Sequence, residues 1–436
     1  GGAGDDTIDG GAGTGDVAVF AGNQSDHTFA SSADGLTITV TNTNDNYADT
    51  VTGIEVLRFD DADIAVSLDA NGLVLTGSDD IDSIQIAGDV SVTVLGGDGA
   101  DILTGGLGND QISGGAGDDI IVGGEGDDVL SGDAGDDTID GGAGTADVAV
   151  FAGNQSDYTF ASSADGLTVM VTETSTGEVD TVTGVETLRF ADSNIGVSFD
   201  ETESRLVLTG SNDGDSIQIV GDVAVTVLGL DGADALTGGL GDDVIEGGIG
   251  EDTIVGGAGN DLLTGDLGDD TIDGGQGGGD VAVFDGDHVD YTFASSADGL
   301  TVMVTKTSTG EVDTVTGVET LTFADIDIGV SFDAPNSRLV LTGSDDIDNI
   351  QIVGDVAITV RGGDEADILT GGLGGDDILG GAGDDIIVGG EGDDVLSGGA
   401  GDDTIDGGVG TGDVAVFAGN QSDYTFASSA DGLTIT

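Results

Sequence analysis

The stretch GGAGDDIIVGGEGDDVLSGDAGDDTIDGG, Gly114–Gly142, decides how the rest of the chain is read. Aspartates and glycines fill it, and no basic residue relieves the charge. A segment this acidic either stays unfolded by self-repulsion or holds cations. Its apolar residues choose between the two. Ile121, Leu130 and Ile139 recur at a fixed interval of nine, each two places after an aspartate. A solvated polyanion has no reason to keep that interval.

The interval extends in both directions. From Gly96 the chain reads GGDGADILT, GGLGNDQIS, GGAGDDIIV, GGEGDDVLS, GDAGDDTID. Five more such units begin at Gly229, five at Gly362, and one stands at Gly1, sixteen in all. Each has glycine at position 1, usually also at 2 and 4, aspartate at 6 and an apolar residue at 8. Positions 7 to 9 suit a short strand with position 8 inward. Positions 1 to 6 suit a turn, where glycine permits positive φ and lets main-chain carbonyls converge.

The chemistry of that turn is specific. Carboxylate and carbonyl oxygens are hard donors, and Ca²⁺ takes six to eight of them at about 2.3–2.6 Å. Mg²⁺ demands a tighter octahedron, and zinc or copper would call for His or Cys. Two units form one flattened coil, so units n and n+2 stack about 4.8 Å apart. The position-6 aspartates then line up as a column along each edge. Without metal each column is a ladder of like charges; with calcium bridging the coils, binding energy becomes folding energy. The expected metal ligands are Asp6, Asp101, Asp110, Asp119, Asp128, Asp137, Asp234, Asp243, Asp252, Asp261, Asp270, Asp367, Asp376, Asp385, Asp394 and Asp403. Ca²⁺, at multiple sites, is the expected cofactor.

These nonapeptides resemble the RTX, or haemolysin-type, calcium-binding repeat. The resemblance implies a parallel β-roll. It also implies export through a type I secretion channel, unfolded in low cytosolic calcium and folding outside the cell. The connecting segments, such as DVAVFAGNQSDYTF through VTGVETLRFAD, resemble a β-segment found beside such repeats in large secreted bacterial proteins.

Three places depart from the repeat. GGAGTGDVAVF at Gly10 delays the aspartate by one residue, so Asp16, Asp147, Asp280 and Asp413 are expected to end the ladder rather than bind metal. Gly132-Asp133 and Gly265-Asp266 lose the second glycine. LTGSDDIDSIQI at Leu75 is a degenerate unit that could prime the coil.

A larger period contains the smaller one. DVAVF occurs at Asp16, Asp147, Asp280 and Asp413, in steps of 131, 133 and 133 residues. DYTFASSADGLTVMVT at Asp157 recurs unchanged at Asp290. Between rolls, alternation such as Leu36-Thr37-Ile38-Thr39-Val40-Thr41 marks half-buried strands. Asp34-Gly35 and Asp165-Gly166 signal hairpins. Phe20, Phe29, Phe59 and their copies are expected to fill a small core. The texture fits either a sandwich or a widened continuation of the solenoid.

The expected fold is all-β: parallel β-roll blocks alternating with small β-sandwich-like segments in a tandem array. Boundaries are placed at 1–15 (end of a roll), 16–95 (β segment), 96–146 (roll), 147–228 (β segment), 229–279 (roll), 280–361 (β segment), 362–412 (roll) and 413–436 (start of a β segment). The chain opens inside a repeat and closes at Thr436 inside an expected strand, so it reads as a slice of something longer.

Composition narrows the function. Among 436 residues 86 are acidic and 6 basic, a formal charge of −80. Nucleic acids and anionic membrane surfaces both require basic patches, so neither is an expected partner. Cysteine is absent, which removes thiolate metal sites and Cys nucleophiles. No run approaches the roughly 18 apolar residues of a membrane span. Neither H-E-x-x-H nor G-x-S-x-G occurs. His27 and His288 are the only histidines, occupy different slots, and read as surface or rim residues. Glu55 with Arg58, repeated as Glu186 with Arg189, reads as a structural pair, since Thr322 replaces the arginine in the next copy. The function these features suggest is a nonenzymatic, calcium-dependent extracellular structural repeat protein. It would form a rigid stalk or self-associate into a fibre or surface layer in adhesion or matrix. The alternative is the RTX secretion and folding portion of a larger secreted enzyme or toxin. A ligand-gripping adhesin is a third reading.

Overall fold

A computed structural model describes residues 1–70, 72–429 and 435. The expected strand reaching Thr436 lies outside those residues. Two compact units divide the chain, Gly1–Asp261 and Leu262–Thr436. Apart from short 3₁₀ turns, every named element is a β-strand.

In the first unit the nine-residue period becomes a coil. Gln111–Ala116 pairs in parallel with Val129–Ala134, Gln111 lying opposite Val129. Ile120–Glu125 pairs with Thr138–Ala143, Ile120 lying opposite Thr138. Every partner is therefore two units away, and successive units alternate between two facing sheets. Leu103, Ile112, Ile121, Leu130 and Ile139, the position-8 residues, are at most 2% exposed between the sheets. Their neighbours at position 7 point outward, and Ile102 and Ile120 are exposed. The core of a roll is thus one aliphatic side chain per strand.

The β segment continues the solenoid, which settles the two alternatives left by the pattern. On one face Val148–Val150 pairs in parallel with the roll strand before it and with Thr187–Arg189 after it. Asn194–Asp200 and Arg205–Thr209 then add two antiparallel strands. Arg205–Thr209 pairs in parallel with Val225–Asp231, where the next roll resumes. On the other face Thr138 lies opposite Thr181, and the hairpin of Tyr158–Ser162 and Thr168–Glu173 extends that sheet. A parallel bridge from Phe160 to Ile219 joins it to the next coil. The Asp165-Gly166 hairpin forms as expected, with Gly166 at φ +73°.

Aromatic side chains thicken the core here. Phe151 stacks on Phe190 at 5.4 Å, and Phe160 meets Phe190 edge-on at 5.9 Å. In the preceding copy Phe20 and Phe59 stack at 5.5 Å, with Phe29 fully buried beside them. The second unit repeats the plan. Leu262 lies opposite Val281, Val281 opposite Thr320, and Thr271 opposite Thr314. Its hairpin joins Tyr291–Ser295 to Thr301–Lys306.

Candidate metal centre

The turns joining the roll strands crowd oxygen atoms together, and glycine, which has no Cβ to strike them, fills most of the positions. In the unit Gly114–Val122, Gly115 and Gly117 sit at φ +117° and +127°. A Cβ on Gly115 would strike the Gly97 carbonyl of the coil below, and one on Gly117 the Gly99 carbonyl. A Cβ on Gly114 would strike the carboxylate of Asp119. The coil imposes the left-handed conformation even where glycine is lost. Asp133, Asp266 and Leu230 replace the second glycine and Glu365 the fourth, at φ +69°, +70°, +80° and +65°. Each such residue costs on the order of 1–2 kcal/mol.

Each position-6 carboxylate is tied to its neighbours through one oxygen. Asp119 Oδ1 accepts the Asp101 N–H at 2.7 Å, and the Asp119 N–H donates to Asp137 Oδ1 at 2.7 Å. On the opposite edge the Asp110 N–H donates to Asp128 Oδ1 at 2.7 Å, and the Asp128 N–H to Asp147 Oδ1 at 2.7 Å. Oδ2 of Asp101, Asp119, Asp128, Asp137, Asp234, Asp367, Asp385 and Asp394 is buried with no hydrogen-bond partner. Asp252 and Asp261, in the first unit, and Asp270, in the second, are equally buried. Asp6 and Asp403, in the outermost coils, are half-buried. Asp110, Asp243 and Asp376 differ, because both of their oxygens accept main-chain N–H groups.

Burial pushes the carboxyls of Asp101, Asp119, Asp128, Asp234 and Asp367 up to about 6. Neighbouring carboxylates push in the same direction. An ionised group buried with a free lone pair is costly unless a cation or proton meets it. Calcium fits this donor set. The donors are all hard oxygens, one carboxylate per turn with main-chain carbonyls converging on it. Among the described residues no three His, Asp or Glu side chains gather as a metal cluster, so main-chain carbonyls would have to supply the remaining ligands. When bound, calcium would be held by the position-6 carboxylates and the turn carbonyls, and would neutralise the column.

The family model described as the RTX calcium-binding nonapeptide repeat (4 copies) matches residues 1–17, 95–130, 113–145, 226–254, 246–281, 359–387 and 379–414. The chain carries several copies of the RTX repeat. RTX nonapeptide repeats bind calcium ions at multiple sites. The matches span the rolls and leave most of each β segment outside them. Among solved structures the chain is similar to the extracellular lipase LipA from Serratia marcescens, with 20% identity and a TM-score of 0.21. That likeness covers 52% of this chain and 38% of the lipase. No curated protein matches the chain.

The aspartate columns of this RTX chain extend past the repeats, which sequence reasoning missed. The Asp137 N–H donates to Asp180 Oδ1 at 2.9 Å, and the Asp6 N–H to Asp49 Oδ1 at 2.8 Å. Asp147, expected to end its ladder, carries it on by donating its N–H to Glu186 Oε2 at 2.8 Å. At the other end the Asp82 N–H donates to Asp101 Oδ1 at 2.8 Å, while Ser78 caps Asp82 Oδ2 through N–H and Oγ at 2.6 and 3.0 Å. The degenerate unit thus starts the ladder. The available signal was recurrence: Asp82, Asp215 and Asp348 fall at one place in each copy, as do Asp49, Asp180 and Asp313. Position-5 residues form an exposed outer row, in which Asp118 Oδ1 accepts the Asp136 N–H at 3.1 Å.

Two further expectations change. Both histidines are core residues, 3% exposed. His27 packs on Phe59 at 4.9 Å, and His288 bridges Asp325 (Nδ1, 2.7 Å) and the Asn349 N–H (Nε2, 2.9 Å). Arg58 pairs with Asp63 at 2.8 Å rather than with Glu55, whose Oε2 accepts the Asp16 N–H.

Proposed function

We propose that this RTX chain is a nonenzymatic, calcium-dependent extracellular structural array. Its modules serve as a stiff spacer or self-assembling fibre, as an adhesin stalk, surface layer or matrix filament requires. One observation carries the reading: within each unit, roll and β segment share hydrogen-bonded sheets with no linker between them. Force along such a coil loads ladders of backbone hydrogen bonds rather than a hinge. Near-identical modules add length and valency. Extracellular calcium modules bind at roughly 10⁻⁴–10⁻³ M, which loads them outside a cell and leaves them empty inside. Type I export of the unloaded chain agrees with that difference.

Electron microscopy of native material, in calcium and in EGTA, tests the proposal. Filaments or a lattice in calcium, lost in EGTA, are expected. Globular particles carrying this region as a short appendage would favour the secreted-enzyme reading instead.

A further inference from the structure

We propose that the calcium column on one edge of the roll stands out of register with the repeat pattern. Asp147, which completes no GGxGxD unit, is a calcium ligand; Asp110, which completes one, holds no metal. The inference rests on the calcium reading above and adds to it.

Asp147 closes the turn Gly141–Asp147, one residue longer than its neighbours. Its side chain is fully buried. Oδ1 accepts the Asp128 N–H at 2.7 Å, and Oδ2 is buried with no partner. The first glycine, Gly141, still closely approaches the Gly184 carbonyl and the Asp147 Cβ, but the extra residue turns the carboxylate oxygens toward Gly144. A Cβ on Gly144 would meet both Asp147 carboxylate oxygens, at 2.6 and 2.7 Å, and also the Gly126 carbonyl of the coil below. A carboxylate and a main-chain carbonyl converge likewise at Gly96, with Asp101 Oδ2 and the Gly114 carbonyl, and at Gly105, with Asp110 Oδ2 and the Gly123 carbonyl, so it is the hydrogen bonding of the carboxylate that separates the sites. The longer turn rebuilds the oxygen cradle with the aspartate in a new place. The first copy does the same, with Asp16 Oδ2 buried, unpartnered and facing Gly13.

Asp110 presents the opposite case. Its Oδ1 accepts the Val92 N–H at 2.9 Å and its Oδ2 the Gly106 N–H at 2.7 Å. The coil below this turn has Val92 where other coils have aspartate, and the acid that turn does carry, Asp89, is exposed. Gly106 is not left-handed, unlike Gly97, Gly115 and Gly124, and its N–H turns onto the carboxylate. That N–H places partial positive charge where the ion would sit. Asp243 and Asp376 repeat the arrangement with Gly239 and Gly372 at 2.7 and 2.8 Å. The three aspartates are end caps, whose hydrogen bonds replace the metal where the column begins.

Crystals of the full chain grown in calcium, measured at long wavelength, test this directly. Anomalous difference density is expected beside Asp119 and beside Asp147 Oδ2, and none beside Asp110. Density at Asp110, or its absence at Asp147 while Asp119 is loaded, overturns the inference alone. No density at any of the three overturns the calcium reading with it. Equilibrium dialysis gives a second measurement. Asp147→Asn keeps an oxygen for the Asp128 N–H and should bind one ion fewer per chain, whereas Asp110→Asn should bind the wild-type number. An unchanged count for Asp147→Asn, or a lost ion for Asp110→Asn, overturns the assignment.

Discussion

A roll coil and a β-segment coil share the same two sheets but are closed by different means. The roll places one aliphatic side chain per strand inside, such as Ile121 or Leu130, and buries carboxylates at its edges. The β segment places an aromatic cluster inside, Phe151, Tyr158, Phe160 and Phe190, and folds hairpins over it. The first arrangement has too little apolar area to offset buried like charges, so its stability is tied to a metal. The second is built from apolar burial and antiparallel pairing, which need no ion. Within each unit, alternating them sets stretches tied to a metal beside stretches that need none.

The largest expected effect is calcium removal. Excess EGTA at neutral pH should collapse strand content by circular dichroism. Amide exchange should show where: Ile121 and Leu130 lose protection first, and the hairpin around Phe160 later. Simultaneous loss would erase the distinction, and an unchanged spectrum would remove the metal from the fold altogether. Next comes Phe160→Ala, which should cost about 3–5 kcal/mol in denaturant unfolding of the calcium-loaded chain. A cost below 1 kcal/mol would show that the aromatic cluster does not hold the segment together.

Acid should partly stand in for calcium. Burial raises the carboxyls of Asp180 and Asp313 to about 7 and those of Asp101, Asp119 and Asp128 to about 6, from an ordinary 3.8. The folded form therefore holds these protons more tightly than the unfolded form. The stability they lend the calcium-free chain is complete below pH 3.8 and fades as pH rises through 6 to 7. Melting in EGTA from pH 4 to pH 8 should show strand content falling with rising pH, and a flat profile would contradict it. The smallest effect is Leu230→Gly. It relieves a left-handed leucine at φ +80° and should raise stability by about 1 kcal/mol in a chemical melt, with strand content unchanged.

The coil itself was legible because its instructions are local. A glycine turn, a carboxylate two places before an inward side chain, and a nine-residue interval are written within single units. They sufficed for the parallel roll, the inward residues and the choice of calcium. The path through the β segments was not legible. Its pairings join Thr138 to Thr181 and Val148 to Thr187, across stretches whose alternation fits more than one sheet. The state of each carboxylate was hidden for a related reason. GGLGND at Gly105 and GGAGDD at Gly114 look alike as strings, yet one aspartate has both oxygens capped and the other has one free. The difference comes from the coil underneath each turn, so it exists only once the coils are stacked. Short-range chemistry sets the turn, while the packing of one turn on another sets how its last oxygen is satisfied.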